Sequence, residues 1–158
     1  MSEPMRARIG EMLRAHAVAT LATSGPDGPW AAAVFYASGP DLDLYFVTDP
    51  GTRHGRSLAA DGRASAAIQA EAVGWSDIRG LQLEGRAVRV PEAGRDAAMG
   101  IYLDRFPDMR RLQETPRDEA ERGIAQRLAA IALWRLSPTL IRLIDNRERF
   151  GWKQELRF

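Results

Sequence analysis

The chain has 158 residues, 45% hydrophobic and 27% charged, with a formal net charge of +1; this predicts one globular domain over residues 1–158 and no nucleic-acid partner, because such binders carry a basic stripe. The absence of cysteine excludes disulfides, thiol nucleophiles and thiolate metal sites. No apolar run approaches the ~20 residues that cross a bilayer, and Ser2-Glu3-Pro4-Met5-Arg6 lacks a signal peptide's apolar stretch, so the expectation is a soluble cytoplasmic protein without a membrane partner.

Met5, Ile9, Met12 and Leu13 recur at helical spacing, which predicts an amphipathic helix to about Ala15, capped by Ser2. His16, at its end, reads as structural. A first strand follows over residues 17–23, then the turn Ser24-Gly25-Pro26-Asp27-Gly28 and a second strand over 30–37. In the third strand, residues 42–48, Leu42, Leu44 and Phe46 alternate with Asp43, Tyr45 and Val47, and the strand ends on the hydroxyl of Thr48. Asp49-Pro50-Gly51 makes a turn, and Thr52 caps a short helix over 53–60.

Thr48, Thr52, Arg53 and His54 therefore converge where a strand end meets a helix N-terminus. Free backbone N–H groups, hydroxyls, a guanidinium and an imidazole suit a dianionic phosphate. The same residues also read as an ordinary capped helix with two exposed basic side chains. Arginine abundance does not decide between these readings, since Lys153 is the lone lysine among 22 basic residues.

A fourth strand covers residues 63–70 and a fifth 77–90. In the fifth, Leu81 and Leu83 are odd-numbered whereas Val88 and Val90 are even, so burying both pairs on one face requires a bulge or sharp coil near Gly85. Pro91 opens a helix to about Phe106. Another starts at Thr115-Pro116, with Asp118 in capping-box position, and runs to about Ala130. The sixth strand spans 133–145, bent at Ser137-Pro138 because proline cannot donate to a central ladder. The tail, 146–158, carries Phe150 and Trp152 and is too apolar to float free. The expected fold class is mainly β (α+β): a six-stranded antiparallel split β-barrel with peripheral helices.

The spacing Tyr45-Phe46-x-Thr48-x-x-x-Thr52-Arg53-His54 resembles the pyridoxamine-5′-phosphate-oxidase-like flavin-binding split barrels. So do Arg79-Gly80-Leu81-Gln82-Leu83-Glu84-Gly85-Arg86-Ala87, Tyr102…Phe106-Pro107, and Leu136-Ser137-Pro138 through Asp145-Asn146, in that order. The ending Asp145-Asn146…Phe150-Gly151 is similar to a small bacterial branch whose members mostly lack an assigned reaction. The resemblance implies FMN, with Thr48, Thr52 and Arg53 around its phosphate and His54 where lysine is usual. It also implies a two-fold homodimer with the cofactor between subunits.

Within that frame, Ala31-Ala32-Ala33 lets a flat ring approach the second strand closely, so Ala32 and Ala33 are candidate cofactor contacts. The alternative is small residues filling a narrow barrel. That strand lacks the basic residues that better-known relatives supply. Gln82 offers a donor and an acceptor to a ring edge, or faces solvent. Trp75 covers a ring or fills the barrel mouth. Arg142, Asp145 and Asn146 reach a neighbouring subunit's cofactor or pair with one another. His54, next to phosphate, is expected to stay partly protonated, so that affinity weakens above neutral pH. No carboxylate shows metal-ligand spacing with His16 or His54, so no metal is expected.

The resemblance stops short of vitamin B6 oxidation. That activity places an arginine four residues after a helix tyrosine, where this chain has Phe106 after Tyr102, and needs a histidine beyond the last strand, whereas none follows His54. What it implies is an FMN-dependent oxidoreductase on a small molecule, with NAD(P)H as electron donor. Alternatives are a non-catalytic flavin carrier or sensor, or a split barrel binding a deazaflavin or tetrapyrrole. No catalytic residue stands out.

Overall fold

One antiparallel sheet organises the chain, and the computed structural model describes residues 2–158. Its strands are β1 (Val18–Gly25), β2 (Gly28–Phe35), β3 (Ala37–Ser38), β4 (Leu44–Thr48), β5 (Arg63–Gln69), β6 (Arg79–Arg89), β7 (Ala132–Asp145) and β8 (Lys153–Arg157). They run in the order β2-β1-β5-β6-β7-β4-β3, with β8 added against β7. The sheet curls until β2 nears β4 without pairing with it, which leaves a barrel split along one side. The expected antiparallel split barrel stands. Its count rises from six strands to eight through the two-residue β3 and through β8, which shows where the apolar tail goes.

Helix α1 (Ser2–Ala15) plugs the barrel. Ile9 and Leu13 are fully buried among Leu21, Leu44, Phe46, Ile68, Leu81, Leu136 and Ile141. Each such side chain contributes about 1.5–3 kcal/mol by leaving water. Tyr36 fixes the helix end by donating its hydroxyl hydrogen bond to the Leu13 carbonyl at 2.8 Å. Ser2 falls within α1; its side chain, and with it the expected cap, lies outside the described residues.

Among the described residues four other α-helices lie outside the barrel: α2 (Arg53–Ala60), α3 (Glu92–Arg105), α4 (Pro107–Glu114) and α5 (Glu119–Ala130). Helix α4 was not expected. Pro107, which ends the preceding pattern, opens a new helix at its first position, where the missing N–H costs nothing. Asp118 is the N-cap of α5 itself, accepting from the Glu121 amide at 2.8 Å, so the helix starts at Glu119, beyond Thr115-Pro116.

Two strand expectations need correction. Leu42 is outside β4, because its φ of 66° places it in the left-handed region, within a turn closed by Leu42 N–H to Gly39 O at 3.1 Å. The register does break at Gly85, but the reason differs. Glu84 pairs with Leu140 and Gly85 with Pro138, so the supernumerary residue is Thr139 on β7. The parity switch accordingly runs along β7, from Leu136 and Pro138 to Ile141 and Leu143. In β6, Leu81, Leu83 and Ala87 keep one parity inward and Val88 is exposed.

Candidate functional site

At the end of β4 the alternation that buries Leu44 and Phe46 also buries Thr48, which is 4% exposed. The chain then reverses. Gly51 N–H bonds the Asp49 carboxylate at 2.7 Å and Thr52 N–H bonds the Asp49 carbonyl at 3.0 Å. Thr52 caps α2 by accepting from the Gly55 amide at 3.1 Å, while its own hydroxyl donates to the Asp49 carbonyl at 2.8 Å. Position 55 must be glycine, since a Cβ there would lie 2.7 Å from the Asp49 carbonyl oxygen.

This turn gathers three of the anticipated side chains. Thr48 Oγ1 lies 3.2 Å from Thr52 Oγ1 and 2.6 Å from His54 Nε2, and Thr52 Oγ1 is 3.4 Å from the same imidazole nitrogen. The amides of Arg53 and His54 sit in the first turn of α2, where no intrahelical acceptor exists. Burial pushes the His54 imidazole below its ordinary value of 6.5. The expectation of a partly protonated ring applies beside a phosphate; in the chain by itself, desolvation opposes protonation.

Arg53 points elsewhere. Its guanidinium carbon lies 4.4 Å from the centre of the Trp30 ring, and Nη2 donates to the Asp27 carbonyl at 2.8 Å. Its Nε is enclosed and has no partner among the described residues. Trp30 is the site residue that the sequence reading passed over. The one available signal was an aromatic immediately before the alanine run in an otherwise cation-free strand.

The three alanines divide between the faces of β2. Ala31 pairs with Ala22 and Ala33 with Thr20, both exposed, whereas Ala32 pairs with the buried Leu21. A ring lying on the open face thus meets Ala31 and Ala33 but not the Ala32 methyl. One register row crosses that face from Ala33 through Thr20, Ala67 and Gln82 to Arg142. Gln82 is therefore three strands away from Ala33, and its carbonyl oxygen accepts from Arg142 at 3.3 Å. On the same face Ala22, Ser24, Ser65, Glu84, Arg86 and Thr139 line an open groove of about 590 Å³.

Arg142, Asp145 and Asn146 do not pair with one another. Arg142 bonds Glu155, Asp145 receives Arg147 and Arg8, and Asn146 joins the Trp75 carbonyl to the Gly151 amide. Trp75 stands 62% exposed against Phe150, at 5.4 Å between ring centres, rather than filling the barrel mouth. Tyr102 is buried beside Phe106, which in turn packs edge-on against Phe35. No helix among the described residues is long and apolar enough to cross a membrane.

The sequence profile of the pyridoxamine 5′-phosphate oxidase family matches residues 5–135. A UPF0306 protein from Klebsiella pneumoniae is 27% identical over 148 residues, covering 93% of this chain and 89% of that protein. Among solved structures, a heme-binding protein from Mycobacterium smegmatis superposes with a TM-score of 0.68 at 24% identity over 94% of this chain, which spans 57% of that protein's length. An FAD-binding protein from Mesorhizobium loti superposes with a TM-score of 0.64 at 17% identity, over 85% of this chain and 90% of that one. At these identities the structural likeness establishes the fold.

Proposed function

The chain belongs to the pyridoxamine 5′-phosphate oxidase family, and we propose that it binds FMN at the β4–α2 junction and works as a flavin-dependent oxidoreductase on a small molecule. The observation that carries this reading is the convergence of Thr48 Oγ1, Thr52 Oγ1 and His54 Nε2 within 3.4 Å at the start of α2. Arg53, turned toward Trp30 and Asp27, has its Nε enclosed without an acceptor among the described residues. An unpaired buried donor costs about 1–3 kcal/mol, and a phosphate oxygen would relieve it. The residues present fit a phosphate ester.

When bound, FMN supplies hydride and electron transfer. The chain's own residues bind and orient. Thr48 would donate its hydroxyl hydrogen bond, Thr52 holds the turn through the Asp49 carbonyl, the first-turn amides and Arg53 would meet the phosphate charge, and Ala31 with Ala33 leaves the open face of β2 flat enough for a ring. That face is exposed in one subunit, whereas ligand sites commonly bury ~70–90% of their ligand. A second copy of the chain, related by two-fold symmetry, would cover it and complete two equal sites.

Vitamin B6 oxidation is not part of the proposal. Phe106 stands between Phe35 and Tyr102 in an apolar cluster, where the substrate-holding arginine of that activity would be needed.

Titration of the purified protein with FMN, followed by flavin fluorescence, tests the reading. The expected result is saturable binding that weakens at least ~tenfold in Arg53→Ala, the loss of one charge-assisted pair. Bleaching by NADH or NADPH with turnover identifies an enzyme, and binding without bleaching a carrier. The heme-binding protein of similar fold gives the alternative its test: a Soret band, with no flavin uptake, replaces FMN by a tetrapyrrole.

A further inference from the structure

From Trp30 to Phe35, β2 offers no positively charged side chain to a bound anion. We propose that Trp30 supplies positioning in place of charge: it holds the Arg53 guanidinium by its flat face and leaves the edge free to clamp a phosphate group. This rests on the phosphate reading of the β4–α2 junction and adds to it the residue that sets the clamp.

The geometry separates the two surfaces of the guanidinium. Its carbon lies 4.4 Å from the Trp30 ring centre, inside the ~6 Å range of a cation–π contact. All five N–H bonds lie in the plane of the group, so stacking removes none of them from use. One is committed, from Nη2 to the Asp27 carbonyl at 2.8 Å. Asp27 belongs to the turn between β1 and β2, so both anchors of Arg53 sit on one hairpin while Arg53 itself starts α2.

Two enclosed polar groups adjoin Trp30 without partners among the described residues. One is Arg53 Nε. The other is the hydroxyl of Thr23, 4% exposed, on the residue that faces Trp30 across the β1–β2 ladder. An arginine placed only to brace the hairpin would have its buried Nε satisfied by the chain, as buried donors generally are. Among the described residues Nε has no acceptor, and an oxygen of a bound anion would supply one. Stacking removes rotamer freedom from Arg53 before the ligand arrives, which raises affinity without adding charge.

The test uses the full chain, with inorganic phosphate as one probe and FMN as a second. Trp30 is 43% exposed on an edge strand, so Trp30→Leu and Trp30→Phe keep the core intact. In ¹H–¹⁵N spectra the Arg53 Nε–H resonance, assigned by its loss in Arg53→Ala, should move on phosphate addition. Trp30→Leu should weaken phosphate and FMN binding about tenfold, the size of one cation–π contact, and Trp30→Phe should restore it to within about threefold. In an Arg53→Ala background, Trp30→Leu should cost nothing further, because Trp30 acts through Arg53. Failure of FMN to bind, with a Trp30-dependent phosphate response intact, removes the flavin reading and upholds the clamp for another phosphate ester. Phosphate leaving the Arg53 Nε–H resonance unmoved, unchanged affinity in Trp30→Leu, or the full loss persisting without Arg53 each overturns the proposal.

Discussion

Thr48 Oγ1 and His54 Nε2 lie 2.6 Å apart, and burial of this half-buried imidazole favours its neutral form. Burial lowers the His54 pKa in the folded chain below the 6.5 of the unfolded one. Between those two values the unfolded state binds more protons, so stability rises with pH there. The His54 contribution is complete above about pH 6.5 and is lost as pH falls through the lowered value. Urea midpoints at pH 7.5 and 5.5 should therefore drop in the wild type and change less in His54→Gln. A phosphate beside the ring favours the protonated form, so phosphate affinity should increase from pH 7.5 to 5.5, and that gain should vanish in His54→Gln.

Thr52 closes the first turn of α2 while its hydroxyl stands in the anion cluster. Thr52→Ala should lower unfolding free energy by about 1 kcal/mol, the ordinary value of a lost N-cap. Denaturant titration measures that loss. Binding of FMN should weaken in the same variant by more than its stability alone accounts for, when measured well below the unfolding midpoint.

A Cβ on Gly85 would sit 2.1 Å from the Ser137 carbonyl oxygen and 2.8 Å from the Pro138 Cα, both backbone atoms of the facing strand. Neither can yield without moving β7. Gly85→Ala should destabilise by about 3 kcal/mol, at the upper end of overpacking costs, and thermal unfolding of the two proteins compares them directly.

What the sequence discloses here follows the distance over which each feature is built. The cluster of Thr48, Thr52 and His54 was legible because one strand end, one turn and one helix start bring together residues no more than six positions apart. The contact of Arg53 with Trp30 was not, because it joins α2 to a hairpin that only the folded sheet places beneath it. The sheet corner was found at Gly85 for a mistaken reason. Val88 and Val90 suggested a shift along β6, whereas the small Ala87 fills the inward position and Thr139 on β7 carries the extra residue. Leu42 continued the apolar alternation of β4 by sequence, yet its positive φ removes it from the strand. Helix α4 was hidden because Pro107 signals an ending and a beginning with the same chemistry.

Asp145, 4% exposed, receives Arg147 through Nε at 2.9 Å and Nη2 at 2.8 Å, and Arg8 at 3.3 Å. These hydrogen bonds, first those of Arg147, hold its carboxyl below the usual carboxylate range. The stability it contributes is present above its unfolded pKa of about 3.9 and is lost as pH falls through the lowered folded value. Asp145→Asn should cost about 1–2 kcal/mol at pH 7, and the difference from wild type should shrink in urea titrations below pH 4.

Thr139 can be removed on paper without moving a single apolar side chain to the wrong side: with it gone, Leu136, Pro138, Ile141 and Leu143 alternate without interruption. Oiliness and curvature are thus written independently in this chain. A variant lacking that one threonine would satisfy every inward position and still have no instruction to bend. Its ribbon would be free to lie flat, with the two rims of the slit held apart and their unpaired amides open to neighbouring molecules.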